Sequence, residues 1–295
     1  MNYLNRKASK NVGAKVRRII FNALLYIFLI VLVIFWVFPF FYLIIQSIRG
    51  DTVGLSTTMF PEGFNYTLQN YVKLFTDSNY NFFTWYLNTL FISVVVSIVQ
   101  TIVVLMTAYT LSRLRFKGRK GLMKFMLIIG MFPGFLSMIA IYKILQTIGL
   151  STSVFGLILV YISGSMMGYY ISKGFFDTIS KSLDEAAEID GASKNVIFWK
   201  IILPLSKPII IYTILVSFIG PWGDFMMANY LVGRAEKTSW TVAIGLQQWL
   251  TPTNSGLYFT RFCAGAVFVS VPIVILFFFL QRYYVEGITG GAVKG

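Results

Sequence analysis

Histidine is absent from this 295-residue chain, and cysteine occurs once, at Cys263. The first absence removes the commonest general base. Together they exclude a disulfide framework and any Cys/His metal site, so no metal ligands are expected. Acid is also scarce: eleven Asp and Glu stand against 25 Lys and Arg, a net charge of +14. No G-x-x-x-x-G-K-[S/T] loop occurs, so the chain is not expected to bind ATP by that device. A nucleophile elbow and H-E-x-x-H are missing too, which argues against an enzyme. What is abundant is apolar: 57% of residues are hydrophobic and only 12% are charged. An ordinary soluble domain is about a quarter charged.

The apolar residues come in runs long enough to cross a hydrocarbon core of about 30 Å. Six spans are predicted, at 19–48, 85–111, 122–145, 154–172, 208–232 and 262–281. Backbone at that depth finds no water, so all six should be helices. The first run is too long for a signal-peptide core and lacks a small-residue cleavage site, so a retained span is expected. The basic residues flank the spans instead of forming a nucleic-acid face. Only Arg49, Lys73, Lys143, Arg234, Lys237 and Arg261 fall on one side; all other Lys and Arg fall on the opposite one. The positive-inside rule then puts both termini in the cytoplasm of a multi-pass membrane protein, with no nucleic acid as partner.

The expected organisation is a basic cytoplasmic tail (1–18), a first transmembrane helix (19–48) and an extracytoplasmic loop (49–83). A transmembrane core (84–282), with a cytoplasmic loop at 182–207, and a C-terminal tail (283–295) follow. Two spans carry polar features. The second has a stripe of Ser93, Ser97, Gln100 or Thr101 and Thr107, which should face the bundle interior or a water-filled path and not lipid. The fifth contains Gly220-Pro221-Trp222-Gly223-Asp224, where proline and glycine favour a local break. Asp224 is the one acid inside a predicted span, and ionising it in lipid is costly. Trp222 beside it has the flat face on which sugar rings stack. With Asn229, these two are candidate residues of a substrate path. The third span holds Gly130-x-x-Pro133-Gly134 and the fourth holds Gly164-x-x-x-Gly168, both permitting close packing.

The cytoplasmic loop concentrates the acid. Asp184, Glu185, Glu188 and Asp190 fall within seven residues. Ser182 and Glu185 have capping-box spacing, predicting a helix start at Ser182. Gly191 suits a left-handed helix stop. A second short helix should run from about Ser193 until Pro204 closes it. Leu183, Ala186 and Ala187 have the spacing of a thin apolar ridge.

The stretch Glu185-Ala186-Ala187-x-x-Asp190-Gly191-Ala192, then Phe198, Pro204-Leu205 and Pro208, resembles the EAA motif of binding-protein-dependent ABC importers. It lies before the penultimate span, as in that family. Thr241-Val242-Ala243-x-Gly245-Leu246-Gln247-Gln248, Gln281-Arg282-Tyr283 and the C-terminal Gly290-Gly291-Ala292-Val293-Lys294-Gly295 resemble the smaller permease subunit of maltose and maltodextrin importers. The resemblance implies an all-α integral-membrane permease of the ABC type I (MetI-like) fold, with six transmembrane helices. It implies a homologous larger permease subunit, two copies of an ABC ATPase that bind ATP and Mg, and an extracytoplasmic sugar-binding protein. The chain itself would carry no cofactor. Glu185, Ala186, Ala187, Asp190, Gly191, Ala192 and Pro204 would form the ATPase-coupling loop. Gly290, Gly291, Val293 and Lys294 would reach the ATPase. Trp249, Thr251, Pro252 and Asn254 would contact the binding protein, with an oligosaccharide as substrate and membrane lipid around the spans. An ion-gradient-driven secondary transporter is the alternative; it would be expected to show several intramembrane ion ligands and repeated broken helices.

Overall fold

A computed structural model describes residues 2–292 apart from Ser78, and the side chains of 15–281 apart from Ser78 and Met166. The chain is all-helical: among the described residues the only extended pairing is an isolated bridge between Arg49 and Tyr66. Three helices are long and apolar enough to cross a membrane unbroken, and counting each of three bent helix pairs as one span brings the number to six.

Helix α1 spans Asn2–Ser47. From residue 15 to residue 41 it is exposed to its surroundings, as a lipid-facing helix should be. Its outer end turns buried at Gln46, Ser47 and Arg49. The outer loop that follows carries a short helix, α2 (Gln69–Thr76), packed on α3 and on the last helix.

Helix α3 (Phe82–Arg113) is the spine. It contains no glycine or proline, so nothing interrupts its 32 residues. It packs against α6 (Val154–Ser163), α7 (Met166–Thr178) and α11 (Lys207–Gly223). Ser93, Ser97, Gln100 and Thr101 are buried on that face, and Thr107 is half-buried. The stripe read from the sequence therefore faces protein. Leu87, Phe91, Ile98, Ile102 and Met106 lie exposed on the opposite face.

The third span is not the continuous helix expected at 122–145. Helix α4 (Arg119–Gly130) and α5 (Gly134–Thr147) meet at an angle of 103°. Pro133 supplies no N–H and disfavours helical geometry at Phe132, which ends α4 early. The fourth span also breaks, at Gly164 and Ser165 between α6 and α7. A Cβ on Gly168 would meet the Ser165 hydroxyl at 2.4 Å, whereas Val104 of α3 lies at an ordinary contact distance of 3.7 Å. In the fifth span α11 continues through Pro221 and stops at Gly223; α12 resumes at Met226–Val232. Helix α13 (Val242–Trp249) and α14 (Ser255–Ala292) complete the bundle, α14 lying against α1 and α11. Gly290 and Gly291 fall in the last turn of α14, whereas Val293 and Lys294 lie outside the described residues.

Candidate coupling loop and translocation path

The acidic loop folds into two short limbs. Helix α8 covers Ser182–Ile189 and ends at Asp190; Gly191 then takes φ 81°, a left-handed turn that suits glycine. The helix start differs from the expected capping box. Ser182 already lies in the first turn, and the backbone N–H of Glu185 is taken by the Lys181 carbonyl. Lys181 is the cap position and offers no side-chain bond; just ahead of it, Ser180 Oγ accepts from the Ser182 N–H at 3.3 Å. The second limb begins with α9 (Lys194–Ile197), where Ser193 Oγ accepts the Val196 N–H. It widens into a π-helical turn at Phe198–Ile202 and finishes as α10, Leu203–Leu205. Pro204 accounts for the widening. It cannot donate to Lys200, and its ring crowds that carbonyl. The limb therefore runs one residue past Pro204 and stops at Ser206, whose hydroxyl donates back to the Ile202 carbonyl at 2.6 Å. There the chain bends by 84° into α11.

The faces of α8 also differ from the ridge expected. Ala187 points into the protein, packed with Ile197 and Phe198, while Leu183 and Ala186 are exposed. Glu185, Ile189 and Asp190 share the outward side, and Ala192 is half-buried in the turn. Asp184 is not a docking charge. It is buried and pairs with Arg113, Nε to Oδ2 at 3.0 Å. Burial raises its pKa above the ordinary 3.8 despite the pull of that guanidinium. Glu188 and Lys194 form an ion pair between the limbs.

Asp224 occupies the gap between α11 and α12. One carboxylate oxygen accepts the Met227 N–H at 3.0 Å, capping α12. The other accepts the Tyr161 hydroxyl at 2.9 Å. Gln100 Nε2 donates to the Tyr161 carbonyl at 2.8 Å, so α3, α6 and the break are joined. Beside them lies a cavity of about 350 Å³ lined by Gln100, Tyr161, Ser165, Ser217, Gly220 and Asp224. Trp222 is absent from that lining. Its ring is buried against Tyr86 and Phe218, with centroids 5.4 and 6.0 Å away. It cannot offer a stacking face there, because the turn that puts Asp224 in the cavity points Trp222 into the core. Asn229 is exposed on α12. The sequence places Gln100 in the polar stripe without linking it to Asp224, and nothing in the sequence marks Tyr161.

The profile of the binding-protein-dependent transport system inner membrane component family matches residues 104–290. The chain belongs to that family. Proteins similar to it include the maltodextrin transport system permease protein MalD of Streptococcus pneumoniae. That relative is 36% identical over 286 residues, covering 97% of this chain and 100% of its own. The galactooligosaccharides transport system permease protein GanQ of Bacillus subtilis is 36% identical over 283 residues, covering 95% and 98%. Among solved structures, a bacterial ABC transporter involved in import of the acidic polysaccharide alginate superposes with a TM-score of 0.74. At 24% identity it covers 90% of this chain and 96% of that one, a likeness of fold. This permease is thus a multi-pass transport subunit and not an enzyme.

On the outer face of the permease, Trp249 ends α13 and is fully buried. It stacks with Phe82 at 6.0 Å and meets Tyr80 at 5.6 Å edge-on. It anchors the α13–α14 turn instead of presenting a contact. Trp85 also lies against it, and a Cβ on Gly245 would fall 1.9 Å from the Trp85 ring. Pro252 is exposed at the tip, with Thr251 and Asn254 half-buried. The Thr251 hydroxyl and Asn254 amide both donate to the Gln248 carbonyl.

Proposed function

We propose that this chain is one permease subunit of an ATP-driven importer for an oligosaccharide of the maltodextrin kind. It would form half of a translocation path with a homologous larger permease. Two copies of a partner ATPase would bind ATP and Mg below it, and a sugar-binding protein would dock above. The observation that carries the reading is the 36% identity to a maltodextrin permease over nearly the whole chain. The loop geometry supports it: Glu185 and Asp190 stand outward around a glycine turn, where a partner can grip them. Glu185, Ala186, Ala187, Asp190, Gly191, Ala192 and Pro204 build that loop. The turn at Thr251, Pro252 and Asn254 would face the binding protein, with Trp249 as its buried support. Gly290, Gly291, Val293 and Lys294 would extend toward the ATPase. Asp224, with Tyr161 and Gln100, offers acceptors and donors suited to sugar hydroxyls.

The test is uptake of labelled maltooligosaccharides and galactooligosaccharides into vesicles holding the full assembly. ATP-dependent uptake that Glu185→Lys abolishes, with membrane insertion intact, is the expected result. Uptake driven by an ion gradient without the ATPase would overturn the reading in favour of a secondary transporter. Preference for the galactooligosaccharide would overturn the maltodextrin assignment alone.

A further inference from the structure

We infer that Arg113, with Tyr109 one turn before it, is a positioning clamp that makes the acidic loop move as one body with α3. The inference rests on the coupling role proposed for that loop. Each limb of the loop is gripped separately. Arg113, at the cytoplasmic end of α3, holds the first: its Nε lies 3.0 Å from Asp184 Oδ2, and its Nη2 donates to the Ile179 carbonyl at 2.8 Å. It therefore ties both the start of α8 and the chain entering it. Tyr109 holds the second limb: its hydroxyl donates to the Lys194 carbonyl at 3.1 Å, and its ring meets Phe198 at 5.0 Å. Residues four apart on a helix share a face, so one side of α3 carries both grips.

The limbs need this support. Helix α8 has eight residues, far below the length at which an isolated helix is stable in water. Of its side chains only Asp184 and Ala187 are buried, so the ion pair is the main polar bond between α8 and the bundle. Arg113 Nε and Nη1 and Asp184 Oδ1 make no hydrogen bond, so the contact is held by charge and proximity. Separating the two groups would leave buried charge uncompensated. The far end of the lever is also defined. Gln100, thirteen residues up an uninterrupted helix or about 20 Å, is the residue bonded to Tyr161 beside the Asp224 cavity. A push on the acidic loop is thus delivered to the cavity wall by a single stiff element.

The test uses the full assembly in vesicles, with spin labels at Met106→Cys and Ile189→Cys in a Cys263→Ala background. In Arg113→Gln, the distance distribution between the labels should broaden. Uptake per ATP hydrolysed should fall about tenfold, since one partner of a buried pair is gone, while the ATPase still co-purifies. The exchange Arg113→Asp with Asp184→Arg should narrow the distribution and recover part of the uptake. Tyr109→Phe, which removes only one hydrogen bond, should lower the ratio about two- to threefold and keeps the clamp testable if Arg113→Gln does not fold. An unchanged distance width and unchanged uptake per ATP in the folded variants would overturn the clamp. A wild-type assembly that neither retains the ATPase nor imports sugar would instead overturn the coupling role, and the label distances would still judge the clamp.

Discussion

The two ends of this permease are built on opposite plans. The outer end is a solid of aromatic rings and glycine. Phe82, Trp85 and Trp249 are fully buried, and glycines at 245 and 265 let helix backbones approach those rings. The cytoplasmic end has an apolar cluster too, with Phe176, Ile197 and Ile202 fully buried, but its loop consists of two short limbs, a glycine turn, one buried ion pair and one tyrosine hydroxyl tie. Dispersion contacts are many and short-ranged, so the outer end resists deformation in every direction. A few polar ties fix position and leave outward side chains free. The contrast separates a fixed frame from an element that hands motion on.

Breaking the frame should have the largest effect. Trp85→Ala removes a buried ring and the Nε1 bond to the Lys237 carbonyl. It should destabilise the protein by about 3–5 kcal/mol, read as lost thermal stability in detergent. Gly191→Val strains a left-handed position by about 1–2 kcal/mol. Nothing surrounds that glycine, so the loss of stability should be confined to that strain while ATP-coupled uptake falls steeply. Equal losses of uptake and stability would erase the distinction drawn here.

A subtler contrast lies between two arginine–carboxylate pairs. At the outer end Asp77 pairs with Arg261. Burial works to raise the Asp77 pKa, but the Asn79 backbone N–H and Arg261 outweigh it, leaving the pKa below 3.8. At the cytoplasmic end burial wins, and Asp184 is raised above 3.8. For Asp77 the folded value is depressed, so its stabilisation is present at neutral pH and lost as pH falls through that value. For Asp184 the folded value is raised, so its protonation on acidification does not unfold the chain but does release Arg113. The coupling pair should therefore open at a higher pH than the outer pair. Infrared carboxyl bands, assigned with Asp184→Asn and Asp77→Asn, will show the order. The smallest effect belongs to Lys194→Ala. Its pair with Glu188 is roughly half exposed, so less than about 1 kcal/mol is expected, diminishing further with salt.

Hydropathy and the placement of Lys and Arg were enough to read six crossings, because those signals are local and additive. The loop was legible for the same reason: Gly191 acts on its own neighbours. What depends on distant partners was not. Asp184 looks like its neighbouring acids until α3 brings Arg113 beneath it. Trp249 and Trp222 look like presented aromatics, yet packing consumes both. Pro133 was visible, but the size of the bend depends on the contacts of α5 with α12. The capping box expected at Ser182 does not form, because the helix already includes Ser182 in its first turn.

Asn70 carries a different lesson, about order in time. Its amide donates to the carbonyls of Ser47 and Arg49, and its oxygen lies 3.2 Å from the Thr260 hydroxyl. One buried side chain thus knots together the end of the first helix, the outer loop and the start of the last helix. Synthesis delivers Thr260 some 190 residues after Asn70. Until the ribosome has made that last span, Asn70 has only part of its bonding, and the outer end stays unfinished. A chain halted before residue 260 therefore lacks the bond that ties the start of the last helix to the end of the first.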